Sequence, residues 1–94
     1  MMLRIVKMVF AEGSPELFLK YFRESAPQIR AFPGCRSLRL LRDKEDPHIF
    51  FTYSQWETPA DLETYRNSPL FATTWARVKP LFQEKAQAWS VDEI

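Results

Sequence analysis

The side chains that could carry out chemistry in this 94-residue sequence are few and widely spaced. The sequence contains one histidine, His48, and one cysteine, Cys35, so it lacks the clustered ligands of a metal site. Its only glycines are Gly13 and Gly34, too few for the usual glycine-rich loops that bind nucleotide phosphates. His48 remains a candidate general base, because histidine exchanges protons near neutral pH. We therefore predict no metal site and no cofactor.

A second group of candidates is aromatic. Phenylalanine, tyrosine and tryptophan make up 15% of the chain, and five of them lie in FFTYSQWETPADLETY, residues 50–65. Taken singly, each ring is most simply a core residue; taken together they indicate a ring-lined cleft for a flat aromatic molecule. Tyr65 is the preferred catalytic group, since a phenol hydroxyl both donates and accepts hydrogen bonds, and His48 is the second. The predicted substrate-binding residues are Phe50, Thr52, Trp56, Tyr65, Phe71 and Trp75.

Three Ser/Thr-Pro pairs mark the predicted helix starts, because the hydroxyl can cap free backbone amides and proline fits the first helical position. They are Ser14-Pro15, Thr58-Pro59 and Ser68-Pro69. The first helix is predicted to run towards Phe32, with a kink or a second segment at Pro27. The other two helices are predicted over residues 59–66 and 69–79.

Four β-prone runs surround these helices. They are LRIVKMVF, CRSLRLLR, HIFFTYSQW and the tail KAQAWSVDEI, and the second and third should form a hairpin around the turn DKEDP. The resulting order is βαββ(αα)β. It predicts one α+β domain over residues 1–94, with a ferredoxin-like antiparallel sheet that carries its helices on one face.

The third predicted strand is apolar on both faces. Phe50 and Trp56 share one face with Thr52, whereas Ile49, Phe51 and Tyr53 share the other. A sheet face that meets water is normally polar, and each large apolar side chain left in water forfeits about 1.5–3 kcal/mol. We therefore predict a homodimer through the face that carries Ile49, Phe51 and Tyr53, and a cavity on the helix side.

The charge balance argues against a nucleic acid or membrane partner. Thirteen basic and twelve acidic residues leave a formal charge of +1. RNA-recognition modules share this element order, but their third strand needs a glycine and a lysine or arginine, which HIFFTYSQW lacks. No apolar run approaches the roughly 20 residues that span a bilayer, and the first ten residues lack the features of a signal peptide. We expect a cytoplasmic protein, which a single cysteine also suits.

The segment PGCRSLRLLRD…HIFFTYSQWETPADLETYRNSPLF resembles the antibiotic biosynthesis monooxygenase family, small proteins of the dimeric α+β barrel type. The resemblance implies a ferredoxin-like monomer whose sheet packs against a partner's sheet, with a pocket between sheet and helices. Some members oxidise polycyclic phenols or quinols with O₂ and without metal, flavin or haem, because the substrate itself supplies the electrons. The shared markers are Pro33-Gly34-Cys35, Gln55-Trp56-Glu57, the Leu62–Tyr65 helix, and Asn67-Ser68-Pro69 before Phe71.

The resemblance transfers unevenly to single positions. Trp56 matches a tryptophan that lines the pocket of the anthrone-type oxygenases. Thr52, Leu62 and Trp75 stand at or near places where those enzymes have asparagine, tyrosine and arginine. Tyr65 occupies a place where quinol-oxidising members often carry histidine, and the residues of the haem-degrading branch are absent.

Our first hypothesis is therefore a cofactor-independent monooxygenase that oxidises a quinol, polyphenol or similar aromatic molecule. Two alternatives stay open: a non-catalytic small-molecule-binding or stress-response protein of the same fold, and a small-molecule isomerase that uses the same cleft. One scaffold hosts many activities, so the fold does not choose between them.

Overall fold

The strands and helices of the computed structural model, which describes residues 1–94, follow the predicted order. The strands are β1 (Met2–Val9), β2 (Cys35–Arg42), β3 (Ile49–Trp56) and β4 (Gln87–Asp92). The helices are α1 (Pro15–Arg30), α2 (Pro59–Arg66) and α3 (Pro69–Val78), and a 3₁₀ turn follows at Lys79–Leu81. The predicted α+β fold class is confirmed. No helix combines the length and the apolar content needed to cross a membrane.

Two of the three predicted helix caps form. The hydroxyl of Thr58 accepts a hydrogen bond from the amide of Asp61 at 3.1 Å, and that of Ser68 accepts from the amide of Phe71 at 3.2 Å. Ser14 makes no such bond, because its own backbone is already helical and its side chain is not aimed at the first turn. The Ser14-Pro15 pair thus marks the start of α1 correctly, but the predicted cap is wrong.

Helix α1 continues through Pro27 to Arg30, so no second segment forms and the helix ends before Phe32. Proline removes one backbone donor, and its partner would be the carbonyl of Arg23, an exposed residue to which water has access. The amide of Ala31 bonds to the carbonyl of Pro27 at 3.1 Å and closes the last turn. A proline this close to the helix end therefore costs little.

The sheet has the strand order β2-β3-β1-β4, and every pairing is antiparallel. The register aligns residues in rows across the strands. One row brings Ser54 of β3, Arg4 of β1 and Ser90 of β4 together, and the next brings Thr52, Val6 and Ala88 together. These two rows form the floor of the site described below.

The core lies between the sheet and the helices. At one end the rings of Phe10, Phe18 and Phe50 pack with centroid distances of 4.3–5.6 Å. At the other end Trp56 packs against Met2 and Leu62. A third group, Ala26, Ile29 and Leu38, joins α1 to β2.

The opposite face of the sheet is left uncovered by the chain. The alternation predicted for β3 is present: Phe50 and Trp56 are buried on the helix side, whereas Phe51 and Tyr53 are half-buried on the other. Trp89 of β4, in the same row as Tyr53, is 45% exposed. This face, hereafter the open face, also carries Ile5, Val9, Leu41, Ile49, Val91, the charged Lys7 and Arg39, and Leu3, which is buried within the chain.

The turn between α1 and β2 requires glycine at position 34. Gly34 has φ +87°, in the left-handed region that favours glycine, and a Cβ there would overlap the side chain of Asp61 at the start of α2. The carbonyl of Gly34 also accepts a hydrogen bond from the amide of Glu57 at 2.9 Å. This close approach fixes where α2 begins above the sheet. Gly13 also has positive φ, +80°, but open space surrounds it.

We predict that Gly34→Ala lowers the free energy of unfolding more than Gly13→Ala. Both variants incur about 1 kcal/mol of backbone strain, and Gly34→Ala adds roughly 1–2 kcal/mol from overlap with Asp61. Urea denaturation measures the difference. In a double-mutant cycle, Asp61→Gly should remove this extra cost, because the overlapping atoms include the Cβ of Asp61, which Asp61→Ala would retain. Equal losses in the two glycine variants would contradict the close packing of Gly34 on α2.

Candidate functional site

A cavity of about 350 Å³ lies between the sheet and the three helices and is partly open to solvent. This volume is within the range of roughly 300–1,000 Å³ that is common for small-molecule sites. Its floor consists of the two rows of the sheet that carry Thr52 and Ser54, and the side chains of α1, α2 and α3 supply the walls. Most of the lining is apolar. It is the candidate ligand site of the chain.

The structure brings five of the six predicted binding residues together around this cavity: Thr52, Trp56, Tyr65, Phe71 and Trp75. Phe50 is the exception. Its side chain points to the helix side as predicted, but it lies beneath Phe10 and Phe18, is 1% exposed and does not line the cavity. Phe50 therefore completes the core at the end of the site instead of contacting a ligand.

The second candidate catalytic residue, His48, lies away from the cavity. Its ring nitrogens are 3.2 Å from a carboxylate oxygen of Glu12 and 3.3 Å from one of Asp46. The backbone amide of His48 also donates to Asp46 at 2.9 Å, and this bond is the main cause that lowers the pKa of the Asp46 carboxyl. His48 thus organises the β2–β3 hairpin, and it is not placed to act on a ligand in the cavity.

One wall of the cavity is a continuous series of rings. Tyr65 stacks on Trp56 with a centroid distance of 5.2 Å and meets the edge of Phe71 at 5.3 Å. Phe71 in turn lies almost parallel to Trp75 at 5.9 Å. Phe71 and Trp75 are four residues apart on α3, so they share one helix face, and the cap at Ser68 sets the start of that helix. The wall therefore presents aromatic surface that suits a planar ligand.

The indole nitrogen of Trp56 is already satisfied within the protein. It donates to the hydroxyl of Ser54 at 3.0 Å, and that hydroxyl can donate to the carbonyl of Arg4 at 3.4 Å. Trp56 is also only 1% exposed. It supports the ring wall from behind, and Tyr65, Phe71 and Trp75 offer the more accessible aromatic surface.

Tyr65 is the one phenol in the cavity. Burial raises the pKa of Tyr65 to about 12, the nearby Cys35 contributes further, and no hydrogen bond takes part in the shift. Burial also raises the pKa of the Cys35 thiol. Both groups therefore keep their protons at neutral pH. Tyr65 can donate a hydrogen bond to a ligand oxygen, but it is unsuited to act as a base.

Two arginines, Arg4 of β1 and Arg66 at the end of α2, also line the cavity, and no carboxylate or histidine does. Arg4 donates to the hydroxyl of Ser90 at 2.9 Å, and Arg66 makes a longer bond of 3.4 Å to Glu63. Sequence reasoning missed both residues. Arg4 could have been found from the alternation of β1, because it shares the helix-facing side with Val6 and Met8 and interrupts an apolar row.

No group of three or more His, Cys, Asp or Glu side chains is arranged to hold a metal ion. The chemistry that the cavity offers consists of aromatic stacking, hydrogen bonds from Tyr65 and Thr52, and the positive charge of the two arginines.

Comparison with known proteins identifies a family and a fold. The family model described as antibiotic biosynthesis monooxygenase matches residues 1–77. The solved structure of a protein from Nitrosomonas europaea superimposes with a TM-score of 0.93 at 20% identity, covering 100% of this chain and 99% of that one. A structure described as an antibiotic biosynthesis monooxygenase gives 0.93 at 19% identity, with coverage of 100% and 99%. Likeness at such identities shows the fold alone.

The Pseudomonas aeruginosa protein PA3566 has a TM-score of 0.87 at 25% identity, and the match covers 99% of this chain and 93% of that one. Among curated proteins, none matches the sequence significantly.

We predict that Tyr65→Phe removes a pH-dependent part of the stability. The ordinary pKa of a tyrosine phenol is 10.0, and that of Tyr65 in the fold is about 12, so between these values the folded chain keeps a proton that the unfolded chain has lost. The free energy of unfolding should then fall by about 1.4 kcal/mol per pH unit across this window. The stabilising contribution is complete below about pH 10 and lost above about pH 12.

Urea denaturation of wild type and Tyr65→Phe, at several pH values from about 8 to 11.5, tests this linkage. The difference between the two proteins should be constant at the lower values and decline above about pH 10. Parallel curves over the whole range would contradict a buried, neutral Tyr65.

Proposed function

The chain belongs to the antibiotic biosynthesis monooxygenase family, and on that premise we propose that it is a cofactor-independent monooxygenase that oxidises a quinol, polyphenol or similar aromatic molecule with O₂. The observation that carries this proposal is the ring-walled cavity between sheet and helices. A planar substrate would lie against Phe71 and Trp75, with its oxygen substituents near Tyr65 and Thr52.

The reaction needs an electron-rich substrate and a protected site. An ionised phenol or anthrone passes one electron to O₂, and the two radicals combine into a peroxide on the ring carbon. For a ring CH₂ group, loss of water from this peroxide leaves a C=O group. One oxygen atom is thereby incorporated, and the other leaves as water with the two hydrogens of that carbon. All four electrons that reduce O₂ come from the substrate.

The protein's role in this scheme is to bind the ring, stabilise its anion and exclude bulk water. The neutral phenol of Tyr65 could stabilise the anion, because it can donate a hydrogen bond to a substrate oxyanion. The hydroxyl of Thr52 is a second donor on the floor. The apolar walls would help to exclude bulk water and so keep reactive intermediates away from it.

A second candidate function is binding without chemistry, as in a carrier or stress-response protein. The observation that favours it is the absence of a carboxylate or histidine among the lining residues, which leaves no conventional base to ionise a phenol. An isomerase would need such a group as well, so the same observation disfavours it. Oxygen consumption separates the two remaining possibilities.

We predict that chelator-treated protein consumes O₂ faster than the no-protein background with at least one quinol, naphthol or anthrone. Tyr65→Phe should lower kcat/KM about tenfold, because it removes a hydrogen bond to the developing oxyanion. Trp75→Leu should weaken binding of the same substrate, because it removes a stacking surface. An oxygen electrode and product mass spectrometry, with ¹⁸O₂ to follow the incorporated atom, measure these effects.

The matched control is Tyr21→Phe, which removes a hydroxyl from α1 outside the cavity and should leave the rate unchanged. Uptake at the background rate over the whole panel, from folded protein, would overturn the oxygenase proposal. Retained affinity for the same compounds would then support the binding function.

We also propose that the chain forms a homodimer through its open face. Phe51 and Tyr53 lie at its centre, and the exposed fractions of Leu41, Trp89 and Val91 are 44%, 45% and 39%. This largely apolar surface is interrupted by Lys7 beside Phe51 and by Arg39 beside Tyr53, and a sheet that packs on a copy of itself would remove its apolar part from water. The cavity on the other face would stay accessible.

We predict that Phe51→Glu weakens self-association at least about 30-fold, because it places a charge at the centre of an apolar interface. Sedimentation velocity over a concentration series should show a dimer for wild type and a monomer for the variant, with unchanged circular dichroism. Leu17→Glu is the control, since Leu17 is an exposed leucine on α1, away from the open face. A monomeric wild type, or a dimer that survives Phe51→Glu, would contradict this interface.

A further inference from the structure

The floor of the cavity contains one charged side chain, Arg4, among uncharged ones. Within the two rows that form it, β3 supplies Thr52 and Ser54, β1 supplies Val6, and β4 supplies Ala88, whereas Ser90 in the row of Arg4 is exposed and does not line the cavity. Arg4 of β1 lies between Ser54 and Ser90 and projects into a lining that is mostly apolar. Arg4 is only partly buried, because β4 beside it is exposed, so its charge lies at the solvent-facing edge of the cavity.

The contacts within the chain compensate Arg4 only in part. One of its nitrogens donates to the hydroxyl of Ser90 at 2.9 Å, and it has no carboxylate partner. A guanidinium group carries five N–H donors, so most of them are left for a ligand or for water. Burial, followed by the neighbouring Arg66, lowers the pKa of Arg4, and the carboxylate of Glu63 opposes this shift in part.

Arg66 brings a second positive charge to the same cavity. Its nearest carboxylate is that of Glu63, 3.4 Å away and outside the lining. The helix dipole favours a cation in the last turn of a helix, and this alone can explain why an arginine occupies position 66. That reason does not extend to Arg4, which is on a strand. Two guanidinium groups against one carboxylate, that of Glu63, leave a net positive charge at the cavity, which is complementary to an anion.

We propose that the ligand of this cavity is an aromatic oxyanion, a phenolate or an aryl carboxylate, whose ring lies against Phe71 and Trp75 and whose charged oxygen binds Arg4 and Arg66. This inference takes the aromatic nature of the ligand from the proposed function, on which it rests, and adds that the ligand is negatively charged. It also explains how a phenol could ionise without a basic side chain in the cavity. The positive charge of two guanidinium groups lowers the pKa of a bound phenol, so the substrate enters the site as the anion or ionises there.

The test is a charge series on the unmodified protein and on two single variants. Isothermal titration calorimetry at pH 7.5 compares 2-naphthoate with 2-naphthamide, which has the same shape without the charge. Wild type should bind the carboxylate about tenfold more tightly than the amide, since hydrogen bonds to charged groups are the stronger ones. Arg4→Met and Arg66→Met should each remove most of this preference and leave amide binding unchanged.

A second arm distinguishes the phenolate from the carboxylate. With 2-naphthol, the absorbance band of the naphtholate should appear at a lower pH in the presence of wild-type protein than in buffer, and this shift should disappear in Arg4→Met. Arg23→Met is the matched control, because Arg23 is exposed on α1 and does not line the cavity. Arg4→Lys should retain part of the preference if charge is what matters.

The outcomes separate this inference from the oxygenase proposal. Preference for the anion in a protein that consumes no O₂ would support the inference and overturn the oxygenase. Equal binding of naphthoate and naphthamide by wild type would overturn the inference, whatever the rate of O₂ uptake. If Arg4→Met fails to fold, Arg66→Met and the wild-type measurements still test the site. The proposed site is contradicted if Arg66→Met keeps the full preference for naphthoate over naphthamide and wild-type protein does not shift the naphtholate band.

Discussion

The cavity depends on a sequence of side-chain sizes along one face of β3. From one end to the other, its helix-side residues are Phe50, Thr52, Ser54 and Trp56: large, small, small, large. The two large rings are each 1% exposed and hold the helices away from the sheet at both ends. The two small residues between them leave space that no side chain fills. Close-packed interiors rarely tolerate voids of this size, so a row of small residues at the centre of a small domain is better explained by a ligand than by packing.

The electrostatic character of the site follows from the same geometry. Burial behind Trp56 and Phe71 keeps Tyr65 protonated, which makes it a hydrogen-bond donor at neutral pH. The cavity has no carboxylate to accept a proton, and its only charges are positive. Under these conditions stabilisation of an anion can replace deprotonation by a base, because lowering the pKa of the substrate produces the same reactive species. Hydrogen-bond donors and cations that the fold already holds in position stabilise an anion most where the surroundings exclude water.

The regular parts of the fold could be read from the sequence because local rules determine them. Alternation along β3 separated Trp56 from Phe51 and Tyr53, and the caps at Thr58 and Ser68 located α2 and α3. Which residues of one strand face line the cavity, and which lie in the core beside it, was harder to predict from the sequence. Phe50 and Trp56 share a face, but only the packing of Phe10 and Phe18 over β3 shows that Phe50 belongs to the core.

Arg4 and Arg66 illustrate a different limit. They are 62 positions apart in the sequence, and neither has a local pattern that indicates a ligand. Only the antiparallel pairing of β1 with β3 and the position of α2 bring them to one cavity. His48 shows the converse, because a residue type suited to proton transfer lies at the hairpin turn, paired with Glu12 and Asp46.

The open face and the cavity are two consequences of one strand register. Ile5 on the open face is the chain neighbour of Arg4 on the cavity floor, and Tyr53 and Trp89 are the neighbours of Ser54 and Ser90. A slip of one residue in β1 would turn Arg4 to the open face and Lys7 to the helix side, and it would likewise exchange the apolar residues of the two faces of this strand. In the proposed dimer, where helices cover one face and a partner sheet covers the other, the same slip would be penalised on both faces. A partner on the open face would thus stabilise the register that aligns Arg4 with Ser54 and Ser90, although it contacts none of the three.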